Sequence, residues 1–262
     1  MRKKLTSRAA LLKRLAGSSW GAGASTLRTA ALALVYSTAE YCAPAWCCCA
    51  HCHNIDTAIH GALRTVTGCL RPTPLDNLSV LAGIQPAEFR REEATLSLVR
   101  RALAPDHLLH SKAYAKRSGD PRRLKSRHPF VPAAQMLLDE SNNQNISVEN
   151  WADYKWSAEW KSNTTRLHSF IPNIDSQPAG VPLPRQVWVR LNRLHTGVGL
   201  FRSVAHKWGL ATSPSCTCCA EEQTADHIIN SCATYRPPRG EEGLRVLDDE
   251  TRQWLTSTDL DV

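Results

Sequence analysis

Four thiols and an imidazole near the end of this chain, three of the thiols needed, set its tightest constraint: Cys216-Thr217-Cys218-Cys219, then His227, then Cys232. Three sulfurs and one nitrogen are the donor set that tetrahedral zinc accepts. The surrounding segment has few apolar residues, so an apparent ~10–16 kcal/mol of zinc binding would dominate its folding. Cys216 and Cys219 are separated by the usual two residues and Cys216 and Cys218 by one, so spacing leaves either as the second ligand. His227 and Cys232 would face apart on a continuous helix, but Asn230 and Ser231 favour ending one between them, which lets both converge. A second cluster, Cys47-Cys48-Cys49-Ala50-His51-Cys52-His53, is richer in donors but poorer in geometry. Its adjacent side chains diverge, and Cys69 is the only evident distant partner, so a helix junction without metal is the expectation there.

Elsewhere the apolar pattern has a helical period and no strand-rich block appears, which makes the fold class mainly α. Lys4 to Ala16 carries Leu5, Leu12 and Ala16 on one side, with Lys13 and Arg14 outward. A helix from Ser25 to about Tyr41 is apolar nearly all round until Pro44. Asn54 to Thr67 places Ile55, Ile59, Leu63 and Val66 on one stripe, and Gly68 follows as a C-terminal cap. Leu75 to Leu81 precedes Gly83. Pro86 opens a helix in which Phe89, Leu96, Val99 and Leu103 face inward and Arg90, Arg91, Arg100 and Arg101 outward. Residues 111–132 and 141–145 have linker composition. Trp151, Tyr154, Trp156 and Trp160 sit on a helix beside cations; aromatics so placed can stack on bases, but packing where the helix docks is the simpler expectation. Arg185 to His195 places Trp188, Leu191 and Leu194 inward and Arg190 and Arg193 outward.

Charge is divided unevenly. Residues 1–130 hold 20 Lys/Arg against 8 Asp/Glu, and residues 131–262 hold 12 against 16. A basic first half suits a polyanionic partner, because each cation near a phosphate releases a condensed counterion. The longest apolar stretch, Leu27 to Ala45, contains Arg28, Glu40 and Pro44, so no membrane span is expected. The start lacks the apolar core of a secretory signal, so an intracellular setting, nuclear or cytoplasmic, with reduced thiols is expected. No phosphate loop, nucleophile elbow or His-Glu-x-x-His pattern occurs. Asp248-Asp249-Glu250 is expected to cap a terminal helix rather than to hold a cation.

Several runs resemble LINE-type, jockey-like non-LTR retrotransposon reverse transcriptases in the region after the palm. They are Lys3 to Arg8, Trp20-Gly21-Ala22, Thr26 to Thr29, Tyr36 to Trp46, Thr67 to Pro74, Leu81 to Ile84, Arg123 to Phe130, Leu191 to Leu194 with Gly197-Val198-Gly199, and Glu221 to His227. The resemblance implies a helical thumb-like bundle with a linker-rich middle and a zinc-knuckle-like tail. The divisions it implies are a basic thumb-like domain at 1–110, an exposed linker at 111–147, a helical connector at 148–212, and the knuckle with a terminal helix at 213–262. That family usually has glycine where this chain has Cys219, which favours Cys216, Cys218, His227 and Cys232 as ligands. Its Tyr-x-Asp-Asp element, whose carboxylates hold magnesium for phosphoryl transfer, has no counterpart here, so a truncated product without polymerase or endonuclease catalysis is expected. The expected partner is RNA or DNA, gripped by its backbone through Arg2, Lys3, Lys4, Arg8, Lys13, Arg14, Arg90, Arg91, Arg100 and Arg101, with the missing palm and fingers as a protein partner in a longer product. The alternatives are a zinc-stabilised protein-interaction domain or a relic without a role.

Overall fold

Glycine and proline punctuate the observed helices much as they punctuate the sequence. The computed structural model describes residues 2–47, 49–113, 130–260 and 262. Cys48 and the resemblance run 123–129 lie outside the described residues. Helix α1 (Arg2–Lys13) buries Leu5, Ala9 and Leu12. Helix α2 (Ala24–Ala31) widens into a π turn at Leu32–Tyr36 and continues through Ala39. Helix α3 (Cys52–Thr67) ends at Gly68, whose φ of 73° needs no Cβ; an added Cβ would also overlap the Val189 side chain. Helices α4 (Leu75–Ala82) and α5 (Ala87–Ala102) each start after a proline. These five helices, joined by Trp156, Trp160 and Leu167, enclose the first core. No strand forms among the described residues, and no helix among them is long and apolar enough to cross a membrane.

The middle of the chain departs from the expected linker. Phe130–Asn143 forms helix α6, with Ala133, Ala134 and Leu137 buried and Ser141 fully enclosed. Ser141 donates to the Ile146 carbonyl at 2.9 Å and accepts from Arg100 at 3.0 Å. Its polar run is therefore a helix end, with Ser141 enclosed and Asn142 to Asn145 exposed as the sequence suggested. Helix α7 (Trp151–Lys161) buries three of its aromatics and leaves Tyr154 exposed. The Trp151 indole donates to Glu92 at 3.0 Å and the Trp160 indole to the Ile171 carbonyl at 2.8 Å, so these tryptophans dock helices and are not open to bases.

A second core gathers around helix α9 (Arg185–Thr196), with helix α8 (Arg166–Phe170) and the C-terminal segments packed on it. Helix α9 corrects the outward placement of Arg190 and Arg193, which are both 7% exposed. Arg190 donates to the Leu255 and Leu260 carbonyls, and Arg193 to those of Gly68 and Val262. The same helix closes the end of α3. Arg185 donates to the Thr65 and Val66 carbonyls at 2.7 and 2.6 Å, Trp188 to Val66 at 3.2 Å, and Asn192 to Thr67 at 2.8 Å. Last-turn carbonyls lack partners within their own helix, and α9 supplies them with side-chain donors from another part of the chain. Positive charge at that negative pole adds to the fit.

Candidate metal centre and basic surfaces

Between Pro214 and Gln223 the chain closes a short loop. The Cys216 N–H donates to the Ala220 carbonyl at 2.9 Å, the Cys219 N–H to Cys216 at 3.0 Å, and the Gln223 N–H to Pro214 at 2.9 Å. Cys219 takes φ 73° at this turn and points to solvent. That is the left-handed region, which glycine enters most easily. Helix α10 (Arg202–Lys207) precedes the loop and helix α11 (Ala225–Asn230) follows it. Thr224 caps α11 by accepting the His227 N–H at 3.1 Å, which fixes the turn that carries the imidazole. The helix then ends at Ser231, and Cys232 comes back to the same point.

Cys216, Cys218, His227 and Cys232 thereby bring one donor atom each within 4.8 Å of one another. The Cys216 and Cys232 sulfurs are 3.6 Å apart, and Cys218 Sγ is 3.1 Å from His227 Nε2. A tetrahedral ion with bonds to sulfur of about 2.3 Å and to nitrogen of about 2.0 Å would have donor edges near 3.5–3.8 Å, so the group can hold a metal ion. The His227 Nδ1 lies 3.2 Å from Ser231 Oγ, which leaves Nε2 for the cluster. Gln223 and the Tyr235 N–H approach the Cys216 and Cys232 sulfurs at 3.7 and 3.3 Å, as donors that favour thiolates. Burial alone would raise the Cys216 thiol, but the Cys218 backbone N–H and the Cys218, Cys232 and His227 side chains bring it down to about 6. Gln223 and Tyr235 carry no sequence signal for this role, since one acts through an amide and the other through its backbone.

The N-terminal cysteines do not converge in this way. Among the described residues, the C-terminal group is the one cluster of three or more such donors in reach of a common ion. Cys52 Sγ instead donates to the Trp46 and Cys47 carbonyls at 3.3 and 3.2 Å, and burial raises its thiol.

The ten expected phosphate-facing cations do not share one surface. Arg2, Lys3, Lys4, Lys13 and Arg14 are exposed along α1 and just beyond it. Arg8 is half-buried and donates to Leu34 and Thr38. The expected outward strip on α5 is corrected at two positions. Arg91 is 5% exposed and grips Asp56 with two bonds of 2.6 and 3.2 Å, and Arg90 pairs in the same two-pronged way with Glu40. Consecutive helical residues point about 100° apart, and each of these found its own carboxylate, Asp56 on α3 and Glu40 just past the helix that ends at Ala39. Arg100 and Arg101 stay exposed, although Arg100 also holds Ser141 and the Ile146 carbonyl.

Comparison with known proteins agrees with the resemblance read in the sequence. The chain is 26% identical over 249 residues to the retrovirus-related Pol polyprotein from type-1 retrotransposable element R1 4 of Nasonia vitripennis, a match covering 92% of this chain and 57% of that protein. A second match, 26% identical over 125 residues, is the corresponding R1 polyprotein of Bradysia coprophila, covering 45% of this chain and 12% of that one. No family model matches the chain. No solved structure matches it.

Proposed function

Because the homologues of this chain are R1-type, non-LTR retrotransposon Pol polyproteins, we propose that it is the part that holds nucleic acid by its sugar-phosphate backbone, without itself joining nucleotides. The observation that carries this reading is helix α1. Its sequence RKKLTSRAALLK has no acidic residue, it anchors itself by Leu5, Ala9 and Leu12, and it presents Arg2, Lys3, Lys4 and Lys13 to solvent. None of these four enters an ion pair among the described residues. Unpaired cations on a firmly seated helix favour a phosphate chain, whose counterions they displace. The Cys216, Cys218, His227 and Cys232 group is the zinc knuckle of this reading. It supports the fold of the tail and adds a second contact for RNA or DNA.

Fluorescence anisotropy with a labelled duplex at two salt concentrations tests the reading. Binding should be clear at low salt, fall steeply as salt rises, and vary little with sequence; no detectable binding at low salt would reject it. The purified protein should carry one zinc, retain it in Cys219→Gly, lose it in Cys218→Ser, and incorporate no nucleotide on a primed template. A protein partner is the second reading, favoured by Leu11 and Leu15, one turn apart and 46% and 44% exposed. Recovery of a stoichiometric protein without RNA in a pull-down would favour it.

A further inference from the structure

We infer that the cleft between α1 and α3 is where a nucleic-acid strand lies, held by its phosphates and not by its bases. This rests on the nucleic-acid reading above and assigns it a place. The cleft encloses about 950 Å³, and Arg2, Lys13, Arg64 and Arg71 line it with no carboxylate among the described residues of its walls. Arg64 and Arg71 come from α3 and the turn after it, outside every run expected to face phosphate. None of these four cations enters an ion pair among the described residues. Burial, with a minor contribution from neighbouring Arg71, lowers the Arg64 guanidinium. Such a cluster repels itself until an anion arrives.

The rest of the lining suits the same ligand. Asn54 adds an amide donor, which phosphate oxygens accept, while the Thr6 and Thr57 hydroxyls along the same walls donate to the Arg2 and His53 carbonyls of their own helices. Ala9, Ala10, Ala58 and Gly61 keep the walls low, so a polymer can approach the backbone closely. Among the described residues no aromatic side chain lines the cleft, which removes the stacking that single-strand binders use to hold bases. The remaining attraction is electrostatic and indifferent to sequence.

Two triple variants of the full chain, each removing three charges, separate the cleft from general basicity. Arg2→Gln/Lys13→Gln/Arg71→Gln removes three of those four cations and leaves Arg64, and Lys3→Gln/Lys4→Gln/Arg14→Gln removes exposed cations that do not line the cleft. With a labelled oligonucleotide of about 20 residues, the cleft triple should weaken binding at least about tenfold and flatten the log K against log salt slope by about 2 to 3, with a clearly smaller loss in the other triple. Gly61→Glu is the second arm. A Cβ there meets nothing within 4 Å, and glutamate suits a helix better than glycine, so the fold should hold while a carboxylate enters the cleft and binding falls. Oligo-dA and oligo-dT should bind within about twofold of each other, and inorganic phosphate at matched ionic strength should not displace them. Equal losses in the two triples, or unaltered binding in Gly61→Glu, would overturn the cleft assignment and leave the broader reading standing. Displacement by phosphate would reduce the cleft to a single-anion site and overturn the strand. Failure of the unaltered chain to bind at low salt would overturn both.

Discussion

His195 shows how much one side chain's setting changes its chemistry. It is enclosed in the second core, donates from Nε2 to the Leu244 carbonyl at 3.0 Å, and stacks on Phe170 with centroids 4.6 Å apart. Burial, opposed only by that hydrogen bond, lowers it from 6.5 to about 4, so the folded protein holds it neutral. The unfolded chain takes up a proton near pH 6.5 and the folded one does not until about 4, so this residue's contribution is complete above 6.5 and is lost progressively as pH falls toward 4. At most about 3 kcal/mol is at stake. In denaturant titrations, the stability difference between the natural chain and His195→Gln should therefore shift against the natural chain between pH 7 and pH 5; a difference independent of pH would mean the imidazole is not held neutral. The candidate donor group was legible at this scale because thiols and imidazole announce themselves by type and count. The choice of Cys218 over Cys219 was not legible from spacing, because it depends on one residue's φ of 73°.

At the scale of elements, the helices and their stops could be read directly: Gly68, Gly83 and Gly197 each end a helix at positive φ. What periodicity could not tell was where polar side chains find partners. Arg185, Arg190 and Arg193 are charged, so a helical pattern turns them outward, yet their partners are backbone carbonyls, which carry no sequence signature. Helix α6 was missed for a related reason, since its apolar stripe of Ala133, Ala134 and Leu137 is narrow and its end is polar. The closure of α3 by α9 makes a clear prediction. Asn192 is fully enclosed and gives the Thr67 carbonyl its donor. Asn192→Ala should cost about 1–3 kcal/mol, the cost of leaving a buried polar group unsatisfied, and urea unfolding followed by circular dichroism measures it. A midpoint unchanged from the natural chain would mean the end of α3 does not need α9.

For the whole molecule, the two cores differ in what sustains them. The first is built from five helices with a continuous apolar interior, whereas the second includes Ile228, Ile229 and Leu244 on short helices beside the thiol cluster. Chelation should therefore raise amide exchange by about a hundredfold or more from residue 213 onward, within the ~10–16 kcal/mol apparent binding energy of a structural zinc. Amides of α3 and α4 should stay protected. Uniform loss of protection along the chain would show that the cluster holds the first core as well.

The wide turn at Leu32–Tyr36 bears on how distant relatives should be aligned. A π turn arises when one extra residue is accommodated in an α-helix. A relative with a single deletion between positions 32 and 36 would straighten that helix, while Ser37 and everything after it kept the same angular phase. Such a gap inside a helix would then mark shared ancestry rather than an alignment error.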